Sequence, residues 1–276
     1  MDKRRLCVLT TGRQDFGILR STLLLLRDAS DFELLLVVGG MHLDARFGET
    51  AALIRAENLP VANELDFIDD RSDPAQESAR ALGQMAALLA ARQPDALLLV
   101  GDRSETLAAA HAAVLCGVPV AHLHGGEETE GAIDNVFRHA ITKLSHLHLV
   151  SHAQHARRVL QMGEPPESVV VVGAPGLDNR FRDDLPGREE LQRLIGAPLI
   201  DPVVIVTMHP TTLGGRPAEE VGAVAAAMAR VPATYVVTQP NSDAGSVEIR
   251  EFWRSWTAGR KGVSVVDALG ERAYWG

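Results

Sequence analysis

The sequence predicts an α/β fold made of doubly wound, Rossmann-like domains, and three observations predict it. Short apolar runs alternate with longer amphipathic or alanine-rich stretches along the 276 residues. Several of those runs, such as Ala96-Leu97-Leu98-Leu99-Val100, show no apolar–polar alternation. A strand that is apolar on both faces is buried on both, which means a parallel sheet covered by helices. Polar, titratable clusters also follow the strands, where the carboxyl ends of such sheets place their sites.

The elements read in order. A strand over 5–11 leads to a helix over 15–28, a strand over 32–39, a helix over 44–58 and a short strand over 61–67. Pro74 after Asp73, a good N-cap, opens a helix over 74–92. Strands over 96–101, 118–123, 147–151 and 169–172 then alternate with helices over 105–116, 134–145 and 153–162. This first domain spans 1–175. A charged, turn-rich stretch over 179–201 carries one helix, 188–195. The alternation restarts with strands over 203–208, 234–238 and 263–267 and helices over 218–229 and 247–258, part of a second domain over 176–276.

Composition narrows the function. Apolar residues make up 46% and charged residues 23%, ordinary globular values that exclude a mostly disordered chain. Aromatics are only 4%, too few for a base-stacking surface. The formal charge of −9 argues against nucleic acid or an anionic membrane as partner. An anionic ligand would need a local positive site. Cys7 and Cys116 lie in apolar runs and read as buried, reduced thiols of a cytoplasmic protein. The apolar run at 6–9 is too short for a secretory signal, and no run reaches the ~20 residues of a membrane span.

Four clusters stand at strand ends. Gly12-Arg13-Gln14-Asp15 is a turn into a helix, whose free N–H groups and positive end suit phosphate, with Arg13 adding a fork of donors. It equally suits a plain βα turn with Asp15 as N-cap. Asp102-Arg103 follows the apolar strand at 96–101, either as a surface pair or as a carboxylate aimed into the crevice. His122 and His124, two residues apart on a strand, point to one side, with Glu127 close behind. Two histidines plus carboxylates could bind a metal, yet no His-Glu-x-x-His helix or cysteine cluster accompanies them. On the helix that follows, Ile133, Phe137, Ala140, Ile141 and Leu144 form an apolar stripe, and Asp134, Arg138 and Thr142 share another face. Asp134 and Arg138 form a solvated pair there, or Asp134 faces Glu127. Met208-His209-Pro210-Thr211-Thr212 follows the first strand of the second domain.

Taken together, Gly12-Arg13-x-Asp15-Phe16-Gly17, Gly101-Asp102-Arg103, the run HLHGGEETEGAIDNVFRHAITKLSHLHL over 122–149, Val172-Gly173-Ala174-Pro175-Gly176 and His209-Pro210-Thr211-Thr212 resemble the hydrolysing UDP-N-acetylglucosamine 2-epimerase family. The resemblance covers nearly the whole chain and is most specific over 122–149, where it is similar to the bacterial branch serving sialic and legionaminic acid synthesis.

The resemblance implies two Rossmann-like domains with a cleft between them, the glycosyltransferase-B arrangement. It implies a UDP-sugar substrate, elimination of UDP to a glycal, addition of water, and no metal or redox cofactor. Asp102, Glu127, Asp134 and His209 would be catalytic. Gly12, Arg13, Asp15, His42, Arg103, His124, Arg138 and Thr211 would bind substrate. Members of the family are often dimers or tetramers, so a homo-oligomer is expected. The family continues well beyond the strand at 263–267 with a serine-rich phosphate cradle, so the second domain is expected to be incomplete. Two other functions fit the residues: an idle UDP-binding module, and a metal-dependent hydrolase built on His122 and His124.

Overall fold

A computed structural model describes residues 3–48, 50–69, 73–211, 214–240, 245–267 and 269–276. It divides into two compact units, one of 1–129 and 134–178, the other of 130–133 and 179–276.

The first unit is a seven-stranded parallel sheet in the order β3-β2-β1-β4-β5-β6-β7. Its strands are β1 (Arg4–Thr10), β2 (Phe32–Gly39), β3 (Val61–Leu65), β4 (Ala96–Val100), β5 (Val120–Leu123), β6 (Leu147–Val150) and β7 (Val169–Val171). The non-alternating runs do alternate in space. Leu98 and Val100 join Val8, Leu36 and Val38 in one core, under α1 (Arg13–Asp28) and α2 (Ala51–Ala56). Leu97 and Leu99 join Cys7, Leu35 and Val37 in the other core, under α3 (Pro74–Arg92), α4 (Ser104–Leu115) and α5 (Asp134–Leu144). Both faces of the central strands are therefore dry, as a parallel sheet requires. Strand order reverses between β1 and β4, and the crevice at such a switch point is where ligands bind.

Local chemistry fixes the ends of the elements. The Asp73 side chain accepts from Gln76 N–H at 2.9 Å and caps α3, with Pro74 in its first turn. The helix expected over 44–58 is broken. Ala45–Phe47 forms one 3-10 turn capped by Asp44, Gly48 turns left-handed (φ 87°), and only Ala51–Ala56 is α-helical, with residue 49 outside the described residues. Asp15 does not cap α1; Gly12 holds that place and Asp15 sits in the first turn. Both cysteines are free, but Cys116, expected to be buried, is exposed because it is the C-cap of α4. Among the described residues the remaining α-helix of this unit is α6 (Ala153–Gln161).

The second unit holds a three-stranded parallel sheet in the order β10-β9-β8, with β8 (Val203–Thr207), β9 (Thr234–Thr238) and β10 (Val263–Val266). α7 (Arg188–Ile195) precedes the sheet. α8 (Pro217–Met228) and α9 (Ser246–Thr257) pack Val221, Ala225, Ile249 and Trp253 against Tyr235 and Val237. A last helix, α10 (Gly270–Trp275), was not foreseen from the sequence. No helix among the described residues is long and apolar enough to cross a membrane.

Candidate functional site

The strand ends of the first unit gather charge around two arginines. Arg103, the N-cap of α4, lies 2.5 Å through Nε from Glu105 Oε1. Burial works to lower its pKa, and the carboxylates of Glu105, Asp15 and Asp134 outweigh burial and raise it. Asp15 is buried and accepts from both the N–H (2.9 Å) and the hydroxyl (2.7 Å) of Thr11. Burial raises the Asp15 carboxyl against the pull of those bonds and of Arg103. The Arg103 charge is thus felt by carboxylates in the first turns of α1, α4 and α5.

The second arginine is Arg138 of α5. Its Nη2 donates to Asp102 Oδ2 just past β4, and its Nη1 lies 3.8 Å from Glu127 Oε2. Arg138 is buried on these two carboxylates rather than solvated as spacing alone suggests. Arg138 and Thr142 are buried, while Ile133 and Val136 are exposed. The helix buries Arg138 and Thr142 beside its apolar Ile141, because Asp102 and Glu127, distant in sequence, supply the counter-charges that make burial of a guanidinium tolerable.

Glu127 is the most heavily partnered of these carboxylates. Its Oε1 accepts from His124 Nδ1 at 2.5 Å and from Ser151 Oγ, and Ser151 Oγ lies 2.9 Å from His155 Nδ1. Burial alone would raise the Glu127 carboxyl. The hydrogen bonds of His124 and Ser151, with the charges of His124 and Arg138, overcome that and hold it at about 2. The two glycines before Glu127 make this packing possible. A Cβ on Gly125 would stand 2.9 Å from His122 Nδ1. One on Gly126 (φ 74°) would stand 2.5 Å from the His155 carbonyl oxygen. Residue 126 must be glycine for both its conformation and its contact with α6.

The histidines separate by environment. His122, fully buried on β5, bonds the Gly101 carbonyl through Nε2 (2.8 Å) and Thr142 Oγ1 through Nδ1 (3.3 Å), and burial pushes its pKa down to about 4. His124 lies beyond the strand with a left-handed backbone (φ 66°), so the two-residue alternation does not carry over to it. Among the described residues no group of three or more His, Cys, Asp or Glu is placed to hold a metal ion. His42, also fully buried, is held between Thr10 Oγ1 (2.9 Å) and Thr50 Oγ1 (2.6 Å), and burial lowers it to about 4. It stands behind the end of β1. Gly12 is buried at the start of α1 and Arg13 is exposed beside it. His209 and Thr211 belong to the second unit, just after β8, where Thr211 Oγ1 donates to Glu220 Oε2 at 3.2 Å. Thr212 lies outside the described residues.

The structure thus groups Asp15, Arg103 and Asp134 at one arginine and Asp102, Glu127, His124 and Arg138 at the other. Sequence reasoning missed Glu105 and gave Ser151 and His155 no part with Glu127. The available signal was position: Ser151 is the first residue past β6, a strand end like the others.

A family model described as UDP-N-acetylglucosamine 2-epimerase matches residues 25–275. The chain is 34% identical over 259 residues to the UDP-N,N'-diacetylbacillosamine 2-epimerase (hydrolyzing) of Legionella pneumophila, covering 90% of this chain and 67% of that protein. It is 33% identical over 213 residues to polysialic acid biosynthesis protein P7 of Escherichia coli, covering 76% of this chain and 54% of that protein. The chain therefore spans between about half and two thirds of these relatives' length. Its fold is similar to the crystal structure of UDP-GlcNAc 2-epimerase from Neisseria meningitidis bound to UDP-GlcNAc, with a TM-score of 0.85, 14% identity, and coverage of 98% of this chain and 74% of that one.

Proposed function

The chain belongs to the UDP-N-acetylglucosamine 2-epimerase family, and from that premise we propose that it hydrolyses a UDP-N-acetyl-amino sugar with inversion at C2. UDP leaves C1 with the electron pair of the C1–O bond while C2 loses its proton, which gives a glycal and free UDP. Water then adds its oxygen to C1, and C2 regains a proton on the opposite face, which gives the manno-type sugar. The relatives' names support a substrate such as UDP-N,N'-diacetylbacillosamine or UDP-N-acetylglucosamine, and a place in making acidic nine-carbon sugars.

The C2 hydrogen is not acidic in the ground state, because no carbonyl neighbours it. Positive charge developing at C1 as UDP departs is what acidifies it, so the site must stabilise that charge. Glu127 suits this part: a carboxyl held near 2 stays anionic and is a weak base. Asp102 and Asp134 are then the carboxylates to move protons at C2. Arg13, Arg103 and His209 are the groups to meet the diphosphate, an assignment resting on the charges of the first two and on the family motif for the third. His124 and Arg138 orient Glu127, and Gly12 and Thr211 contribute to binding through the motifs that hold them.

The observation that carries this reading is Arg138, which brings Asp102 and Glu127 to one guanidinium at the ends of β4 and β5. The test is proton NMR of the protein in D2O with each of the two UDP-sugars. The expected result is release of UDP and a manno-type product with deuterium at C2. Absence of UDP release from both substrates overturns the reading.

A further inference from the structure

Counting protons settles the hydrogen-bond directions around Glu127. An ionised carboxylate only accepts. Its Oε1 contacts both His124 Nδ1 and Ser151 Oγ, so each of those groups donates to it. Ser151 has one hydroxyl proton, and that proton is committed to Glu127. The 2.9 Å contact between Ser151 Oγ and His155 Nδ1 must then be donated by the ring. A neutral His155 therefore carries its proton on Nδ1, which leaves Nε2 bare.

The neighbours enforce this order. Burial, together with the nearby Arg158, His152 and Arg138, outweighs the Glu127 charge and keeps His155 below its usual range. Arg158 is occupied by the Gly126 carbonyl and by Glu128 Oε2 at 2.7 Å. Gly126, with no side chain, lets α6 approach closely enough for His155 to reach Ser151. His155 Nδ1 itself stands 3.8 Å from Glu127 Oε1, beyond a direct bond, so its effect passes through the serine.

We propose that Ser151 and His155 are positioning residues for the epimerase reaction: His155 aims the Ser151 hydroxyl, and Ser151 fixes Glu127 in the orientation that faces the reacting sugar. The proposal rests on the reading of Glu127 given above. Neither residue touches substrate. Both act on which way, and how rigidly, the carboxylate points.

Two measurements on the full chain test it. The first is the 15N NMR spectrum of the histidine rings at neutral pH, which needs no turnover and so stands apart from whether the chain releases UDP. The expected spectrum has His155 protonated at Nδ1 in the wild type and at Nε2 in Ser151→Ala; Nε2 protonation in the wild type overturns the proposal. The second compares kcat and KM among variants. Ser151→Ala is expected to lose about tenfold in kcat, within the ~10–100-fold typical of lost outer-shell partners, with KM within about twofold. Ser151→Thr restores most of the rate. His155→Asn, which keeps a donor where Nδ1 stands, exceeds His155→Leu. Equal rates for His155→Asn and His155→Leu, or a full rate in Ser151→Ala, overturn the proposal. A wild type that releases no UDP overturns the function and leaves the tautomer to judge the hydrogen-bond order.

Discussion

Among the described residues of the first unit, two histidine–glutamate pairs are in direct hydrogen-bond contact, and they connect different parts of it. His124–Glu127 stands past the carboxyl end of β5, with Arg138 and Ser151 added from α5 and β6. His148–Glu164 stands within the body of the fold. His148 is fully buried on β6, its Nε2 lies 3.1 Å from Glu164 Oε2, and Lys143 Nζ of α5 donates both to Glu164 and to the Met162 carbonyl at 3.1 Å. In both pairs burial works to raise the carboxyl and hydrogen bonds lower it further than burial lifts it. The partners differ in what they connect. Those of Glu127 connect it to Asp102 and the rest of the strand-end charges, whereas those of Glu164 fasten α5 to the segment after α6. A depressed carboxyl is therefore not a mark of function by itself. Its place relative to the strand ends decides.

Glu127→Gln should break the first pair most sharply. It keeps the size and removes the charge that would face C1, so turnover should fall about a thousandfold while far-UV circular dichroism stays unchanged. Asp102→Asn should fall comparably, because it also leaves Arg138 buried and half-paired. Near-normal rates in either variant would remove that carboxylate from the chemistry. Gly126→Ala should come next. It places a Cβ at φ 74° against the His155 carbonyl and should cost about 3 kcal/mol of stability, read by urea denaturation. An unchanged midpoint would show that α6 can retreat freely.

The buried histidines should set the pH response of the whole unit. His42 and His122 are held near 4 in the fold, against an unfolded value of 6.5. The folded state binds fewer protons, so stability rises with pH across that window and is lost as pH falls from about 6.5 towards 4. Between pH 7 and 5.5 the two together should cost on the order of 3 kcal/mol. Denaturation midpoints at several pH values check this. A flat profile would mean that water reaches these rings.

Much of the fold was legible because its signals are local. Ala96–Val100 could be read as doubly buried from its residues alone, and α3 announced itself through Asp73 and Pro74. The helix over 44–58 is not continuous because Gly48 takes a left-handed conformation that spacing does not reveal. The site was legible as strand-end clusters but not as a network. Spacing on α5 put Arg138 and Asp134 on one face, as a solvated pair or with Asp134 towards Glu127, and only the fold shows Asp102 and Glu127 drawing Arg138 inward. Ser151 and His155 acquire meaning once β6 is seen beside β5, a pairing the sequence does not specify.

The smallest of the expected effects separates the two pairs most cleanly. Glu164→Gln keeps a hydrogen-bond acceptor beside His148 and Lys143 but removes the charge that both partners use. Hydrogen bonds to charged groups contribute about 2 kcal/mol each, and the Lys143 partner is exposed to solvent, so the net loss should stay at about 1–2 kcal/mol. The sign with pH follows from the lowered carboxyl: its contribution is present above the unfolded value and is lost as pH falls through the folded one. The variant should therefore melt below the wild type at pH 7 and approach it in acid, where the wild type has lost the same charge. Its kcat and KM should remain within about twofold of wild type, since hydrogen bonds internal to the scaffold do not change between ground and transition states. A large fall in kcat with an unchanged melting temperature would reverse the comparison and make His148–Glu164 part of the reacting site.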